Sequence, residues 1–122
     1  MKLHLTSVEG QHLFSGHGPG YVVVNRVRYE TSIVVTPGSV TTWSVSGFDA
    51  LSAEDFAAVL ALKPEVVIFG TGRAMRFPDP ALALELAAAG IGFEVMDSGA
   101  ACRTYNILAV EGRRVAAAIL VD

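Results

Sequence analysis

At 122 residues, the chain has the length of one compact domain, residues 1–122, rather than two. Nine Lys and Arg against twelve Asp and Glu leave a net charge of −3, and this mild acidity, with no basic arm or face, excludes a general nucleic-acid binder. A composition 52% hydrophobic and 17% charged excludes disorder, while the lone cysteine, Cys102, excludes an internal disulfide or a multi-cysteine metal site.

Met1-Lys2-Leu3-His4-Leu5-Thr6 leads into Ser, Glu, Gly and Gln. This start has neither the apolar run of a signal peptide nor the Arg- and Ser-rich pattern of a mitochondrial presequence. The most apolar stretches, Val66–Phe69 and Val115–Val121, fall far short of the roughly 20 residues that span a bilayer. A cytoplasmic chain without a transmembrane segment is the expectation. Gly16-His17-Gly18-Pro19-Gly20 reads as a loop, rich in Gly and Pro. Tyr21–Val24 follows as a short β-rich run. Asn25-Arg26 forms a tight turn, and Val27–Glu30 alternates apolar and polar side chains as a half-buried strand does. Thr31–Thr36 is the next strand, stopped by Pro37-Gly38, a pair suited to a type II turn. Val40–Val45 then sets Trp43 and Val45 on one face and Thr42 and Ser44 on the other.

From Ser52 the period changes. Ser52 caps a helix whose first turn holds Glu54 and Asp55, both favourable at the positive end of the helix dipole. Phe56, Val59 and Leu60 form its buried stripe, and Lys63-Pro64 ends it. Val66-Val67-Ile68-Phe69 is a continuous apolar run, the mark of a strand buried on both faces. Asp79-Pro80 opens a second helix that Gly90 closes. Phe93–Met96 reads as a second central strand. Asp97 or Ser98 caps a third helix running to about Val110, stopped by Gly112, and Val115–Val121 is the last strand, flat enough at a sheet edge to pair between subunits. Several strands followed by alternating helix and strand predict an α/β fold: helices packed on a sheet with parallel pairs, plus an antiparallel or mixed opening part.

The candidate binding residues are Gly70, Thr71, Gly72, Arg73, Arg103 and Asn106. Gly70-Thr71-Gly72 leaves the carboxyl end of the most buried strand, where ligand sites of open α/β sheets lie and where glycines let backbone N–H groups approach an anion. It lacks the third glycine of a dinucleotide fingerprint and the Lys of a P-loop. Both readings stand: a tight turn that needs small residues, or an anion cradle. Cys102, Tyr105 and Ala109 share one stripe of the third helix, with Arg103 and Asn106 on a neighbouring face. Near a helix N-terminus and beside an arginine, Cys102 has the setting of a nucleophile. It lacks a base in its own segment, and a lone Cys on an apolar face packs as a small hydrophobe. Arg103 either binds an anion together with Arg73, or braces the sheet end by pairing with Asp97 or with backbone carbonyls. Asp97 is most simply an N-cap, and Glu111, Arg113 and Arg114 read as a solvated turn. His4, His12 and His17 form no metal-binding pair, and Glu54 and Asp55 point apart, so no metal or other cofactor is expected.

The residues Gly70-Thr71-Gly72, Met96-Asp97, Ala101-Cys102-Arg103-Thr104-Tyr105-Asn106 and Glu111-Gly112-Arg113 with Val115-Ala116-Ala117-Ala118 resemble a known family. The Tyr21 strand and Ile33–Pro37 extend the likeness over nearly the whole chain. It is the family of small single-domain proteins related to mitochondrial NADH:ubiquinone oxidoreductase (complex I) assembly factor 3, catalogued in bacteria and archaea as a domain of unknown function. Ser98 stands where that pattern leads one to expect Thr, which preserves the cap. The resemblance implies a three-layer α/β domain, a central mixed sheet flanked by helices, with an added N-terminal β-hairpin layer. It also implies no established enzymatic activity, no agreed catalytic residues, and a role in complex I assembly in the mitochondrial branch. The N-terminal pattern favours a bacterial-type member. The function expected is therefore a non-catalytic binding or assembly protein whose partner is another protein, without nucleic acid, acting at the periphery of a membrane. The alternative is a small-molecule or anion-binding protein, enzymatic or not, with its site at Gly70-Thr71-Gly72 and Arg103.

Overall fold

The computed structural model describes residues 10–122; the expectations that rest on Met1–Thr6, His4 among them, lie outside the described residues. The first elements among the described residues are three strands, β1 (Phe14–Gly18), β2 (Tyr21–Val24) and β3 (Val27–Tyr29), which pair in sequence as an antiparallel meander. The stretch Gly16–Gly20, expected as loop, is strand up to Gly18, with His17 opposite Val22. Gly18 makes room for a neighbour: a Cβ there would lie 2.6 Å from the Tyr21 ring, so a larger residue would push that ring off the strand. The Asn25-Arg26 turn forms without glycine, with φ of 47° and 70° at its two residues, the doubly positive geometry that matches strand twist.

A five-stranded sheet follows from β4 (Ile33–Thr36), β5 (Ser39–Thr42), β6 (Val66–Gly70), β7 (Gly92–Met96) and β8 (Val115–Ile119), in the spatial order β5-β4-β8-β6-β7. Strand β6 runs parallel to both β7 and β8, while β4 is antiparallel to β8 and β5. Thr36 pairs with Ser39 across Pro37-Gly38, but Gly38 is absent from the positive-φ glycines. The turn therefore lacks the conformation that defines type II. Strand pairing ends at Thr42, and Trp43 and Val45 continue the alternation as buried side chains beside exposed Thr42 and Ser44.

Strand order corrects two expectations together. The Phe93–Met96 run lies at the sheet edge, and Val115–Val121, expected as an edge, supplies β8 at the sheet centre between β4 and β6. Every residue of β8 is buried, whereas β7 carries exposed Glu94 at its middle. A charge there is tolerable only where one side of the strand meets water.

Among the described residues, three α-helices cover the sheet. Helix α1 (Ala53–Leu60) starts at Ser52, whose N–H donates to the Asp55 carboxylate at 2.8 Å. The expected helix from Pro80 to Gly90 is broken: a 3₁₀ turn, Pro80–Ala83, precedes the short α2 (Leu84–Ala88). Ala83, the last residue of the turn and the N-cap of α2, has φ −111°, ψ 17°, outside the α region. Leu86 is the one buried residue of α2, so little packing energy enforces a continuous helix. Helix α3 (Ser98–Val110) has Asp97 as N-cap, accepting the Ala100 N–H at 2.9 Å, and Gly112 beyond its end at φ 86°.

Alternation along the strands sorts side chains onto two cores. Val66 and Ile68 of β6 join Tyr105 and Cys102 of α3 and Phe14, Val22 and Val24 of the meander. Val67 and Phe69 join Trp43, Phe56 and Val59 on the opposite face. The result is a mixed sheet with α1 and α2 on one side, and with α3 and the three-stranded sheet on the other. This is the layered α/β architecture expected, its N-terminal hairpin enlarged to three strands.

Candidate functional site

The carboxyl end of β6 is held by close approach. A Cβ on Gly70 would lie 2.9 Å from both Cα and Oγ of Ser98 and 3.1 Å from the Ala101 Cβ, so glycine lets the first turn of α3 rest directly on the strand. Thr71 is buried, and its N–H donates to the Met96 carbonyl at 2.9 Å. Its hydroxyl donates to the Ala74 carbonyl at 2.7 Å and accepts the Arg76 N–H at 3.1 Å, closing the 71–76 segment on itself. Gly72 has φ 105°, and its N–H donates to Ser98 Oγ at 2.9 Å. The Ser98 hydroxyl in turn donates a hydrogen bond to the Leu120 carbonyl at 2.7 Å. One buried hydroxyl thereby joins the β6 loop, the start of α3 and the chain leaving β8.

Arg73 N–H donates to Asp122 Oδ1 at 2.9 Å, and a Cβ on Gly72 would come within 2.6 Å of the same carboxylate. The three successive amides of Thr71, Gly72 and Arg73 thus all have partners inside the chain. Where the loop could cradle an outside anion, it holds the carboxylate of Asp122. A cleft of about 220 Å³ opens beside it, lined by His17, Arg73, Asp97, Gly99 and Asp122 among others. Sequence reasoning missed His17 and Asp122. They come from β1 and from beyond β8, and only the fold brings them to the loop.

Two other candidates sit apart from this cleft. Arg103 is exposed on α3 and does not line it. Among the described residues Arg103 makes no ion pair, and Asp97, its expected partner, accepts the Ala100 N–H instead. Asn106 is a strap: its Oδ1 accepts the Phe14 N–H at 2.9 Å and its Nδ2 donates to the Phe14 carbonyl at 2.8 Å, docking β1 on α3. The Tyr105 hydroxyl adds a bond to the His12 carbonyl at 2.8 Å, and burial pushes its pKa well above the usual phenol range.

Cys102 is buried between α3 and the sheet, and burial is the main force pushing its thiol up from 9.0 to about 12. Nucleophilic chemistry needs the thiolate, which this environment disfavours. Because the folded value lies above the unfolded one, the stabilisation from keeping the thiol neutral is complete below pH 9.0 and lost as pH rises through about 12. Iodoacetamide at about pH 8 is expected to leave Cys102 unmodified in the folded chain and to label it once denatured. Stability is expected to fall between pH 9.0 and about 12 with a slope that Cys102→Ala reduces. Ready alkylation of the native protein contradicts this assignment.

The Glu111–Arg114 turn is exposed but pinned. Glu65 Oε1 accepts the Arg114 N–H at 2.9 Å and the Arg113 guanidinium at 3.2 Å, and these bonds, the backbone one first, hold the Glu65 carboxyl below its ordinary value. Lys63, Arg113 and Arg114 line a second cleft of about 530 Å³ at the opposite end of the sheet. There, Gln11 Oε1 is buried with no hydrogen-bond partner among the described residues. The sequence signal was three cations in two separate turns, which meet only after folding.

Among the described residues no three His, Cys, Asp or Glu groups gather as a metal site, and no helix is long and apolar enough to cross a membrane.

Comparison with known proteins adds the context for this geometry. Residues 14–120 match the family described as protein of unknown function (DUF498/DUF598). NADH dehydrogenase (ubiquinone) 1 alpha subcomplex assembly factor 3 of Bos taurus is 34% identical over 100 residues, covering 80% of this chain and 54% of that protein. The chain thus spans about half the length of that relative. The 13 kDa major membrane protein of Francisella tularensis is 25% identical over 122 residues, covering 98% of this chain and 99% of that one. A crystal structure of a Bordetella parapertussis protein superposes with a TM-score of 0.88 at 40% identity, covering 93% of this chain and 98% of that one.

Proposed function

The chain belongs to the DUF498/DUF598 family of proteins of unknown function, and from that premise we propose that it is a non-catalytic, protein-binding factor that supports the assembly of a respiratory complex. The likeness to the bovine assembly factor 3 carries this reading. The site chemistry supports it: Thr71, Ser98, Asp97 and Asn106 spend their polar groups on holding loops and strands together, and the thiol of Cys102 is disfavoured as a nucleophile. We place the action on the cytoplasmic side at a membrane surface, where such a factor would meet a membrane-embedded client. The membrane name of the Francisella relative accords with that placement.

A small-molecule site at the Gly70-Thr71-Gly72 loop is the rival reading, favoured by the adjoining cleft. It requires donors that the Asp122 carboxylate and the Ser98 hydroxyl now engage, so the protein-partner reading is preferred.

Affinity capture from the source organism, followed by mass spectrometry, is expected to recover subunits or factors of NADH:ubiquinone oxidoreductase. A deletion strain is expected to accumulate incomplete complex. Normal complex in that strain with no protein recovered overturns the reading. Turnover of any metabolite by the purified chain overturns its non-catalytic part.

A further inference from the structure

Strand β7 is an open edge of the sheet. Gly92 N–H donates to the Glu65 carbonyl at 3.1 Å, and the Met96 carbonyl accepts the Thr71 N–H at 2.9 Å. Along a parallel ladder this parity alternates, so Gly92, Glu94 and Met96 turn their backbone groups toward β6, and Phe93 and Val95 turn theirs outward. Among the described residues nothing bonds to those outward groups.

The same two residues help floor a surface groove. Phe93, Val95 and Ile91 line it together with Phe77, Leu84 and Ala87, enclosing about 370 Å³. Phe77 is 82% exposed and Leu84 64%, a pairing of large apolar side chains at an open edge that marks an interaction surface. The one charged residue among its lining is Asp79; residues 77–96 add Glu85 and Glu94 and no Lys or Arg, and the preceding Arg76 lies over the Phe48 ring beside Asp49. Because side chains alternate across a strand, Glu94 projects to the face opposite Phe93 and Val95.

We propose that the β7 edge and the Phe77–Leu84 groove form a docking site for an extended segment of a partner protein, in which apolar residues alternate with Lys or Arg. The proposal rests on the reading of the chain as a protein-binding factor and names the partner's chemistry. An added strand uses the free groups of Phe93 and Val95, buries its apolar side chains in the groove and sets its cations beside Glu94. A second copy of this chain fits poorly. The two-fold antiparallel register that uses both residues' free groups is centred on Glu94 and sets that carboxylate against its own copy, and like charges directly opposite are destabilising. The other edge, β5, offers exposed Thr41 and Thr42 and lies away from the groove.

The test is an NMR titration of the ¹⁵N-labelled full chain with an end-blocked peptide of alternating Val and Lys, beside a twin in which Glu replaces every Lys. Binding of the Lys peptide is expected to shift the Phe93 and Val95 amides and to weaken with salt. Leu84→Glu and Phe77→Glu, both at exposed positions, are expected to weaken it at least tenfold with the melting curve unchanged, and Glu94→Lys to transfer preference to the Glu twin. Equal binding of the twins, shifts at Ser39–Thr42 instead, no binding of either peptide, or a dimer in sedimentation that Leu84→Glu dissolves each overturns the proposal. The broader reading fails separately. If Leu84→Glu captures the same cellular partner as the wild-type chain, only the docking site is lost; if the wild-type chain captures none, the binding reading itself is lost.

Discussion

Phe69→Ala is expected to destabilise the fold by about 3–5 kcal/mol, the loss typical of deleting a buried aromatic. Phe69 is fully buried, and its ring lies 5.3 Å from Phe56, 5.9 Å from Trp43, 6.1 Å from Phe93 and 6.5 Å from Phe48. These four rings come from α1, from the chain after β5, from the edge strand β7 and from the turn before α1. One side chain on the interior strand β6 therefore ties together most of the face that α1 and α2 cover. With a total stability of about 5–15 kcal/mol for a domain, the loss removes a large fraction of what holds the chain folded. The midpoint of thermal unfolding is expected to drop by about 10–20 °C. Phe69→Leu, which keeps most of the volume, should cost about 1.5 kcal/mol or less. Guanidinium unfolding of the three proteins measures both. A loss under about 1.5 kcal/mol for the alanine variant contradicts a close-packed cluster.

Ser98→Ala is expected to cost about 2–4 kcal/mol, because it strands two groups at once and each buried orphan costs about 1–3 kcal/mol. The Gly72 N–H and the Leu120 carbonyl both lose their partner in a buried position. Removing the hydroxyl removes the bridge among the β6 loop, the start of α3 and the chain beyond β8. Hydrogen exchange at Gly72 is expected to accelerate by more than tenfold while exchange in the β1–β2 meander falls only with global stability. Ser98→Thr, which retains the hydroxyl, is expected to keep most of the stability. An alanine variant as stable as the wild-type chain would show that the bridge contributes nothing.

The candidate site was partly legible. The Gly-Thr-Gly loop stands out in the sequence because small residues follow an apolar run, and Gly70 and Gly72 are required for steric reasons. Asp97 and Ser98 read correctly as a cap region from residue type alone. Two things were illegible: that the loop's amides are satisfied by Ser98 and Asp122, and that Asn106 clamps β1. Each is a contact between residues separated by 26, 49 or 92 positions, and a side chain's local sequence says nothing about which distant backbone group it meets. Arg103 was singled out for its charge, but a charge on a helix face shows nothing about the cleft until the helix is docked.

By itself, the sequence determined the type of most segments, missing the strand at Phe14–Gly18 and the break between Pro80–Ala83 and Leu84–Ala88. The apolar period distinguishes the helices Ala53–Leu60 and Ser98–Val110 from the buried runs Val66–Gly70 and Val115–Ile119, because periodicity reflects the local geometry of helix and strand. Only the tertiary structure decided where each strand lies. Two parallel crossovers run across the sheet in opposite directions, one from β6 to the edge strand β7 and the other from β7 back past β6 to the central β8. The side on which a crossover lands depends on which sheet face its helix covers, a choice made by packing across the whole domain. That choice left the charged strand Gly92–Met96 with a free edge and buried the uncharged Val115–Ile119 between two neighbours.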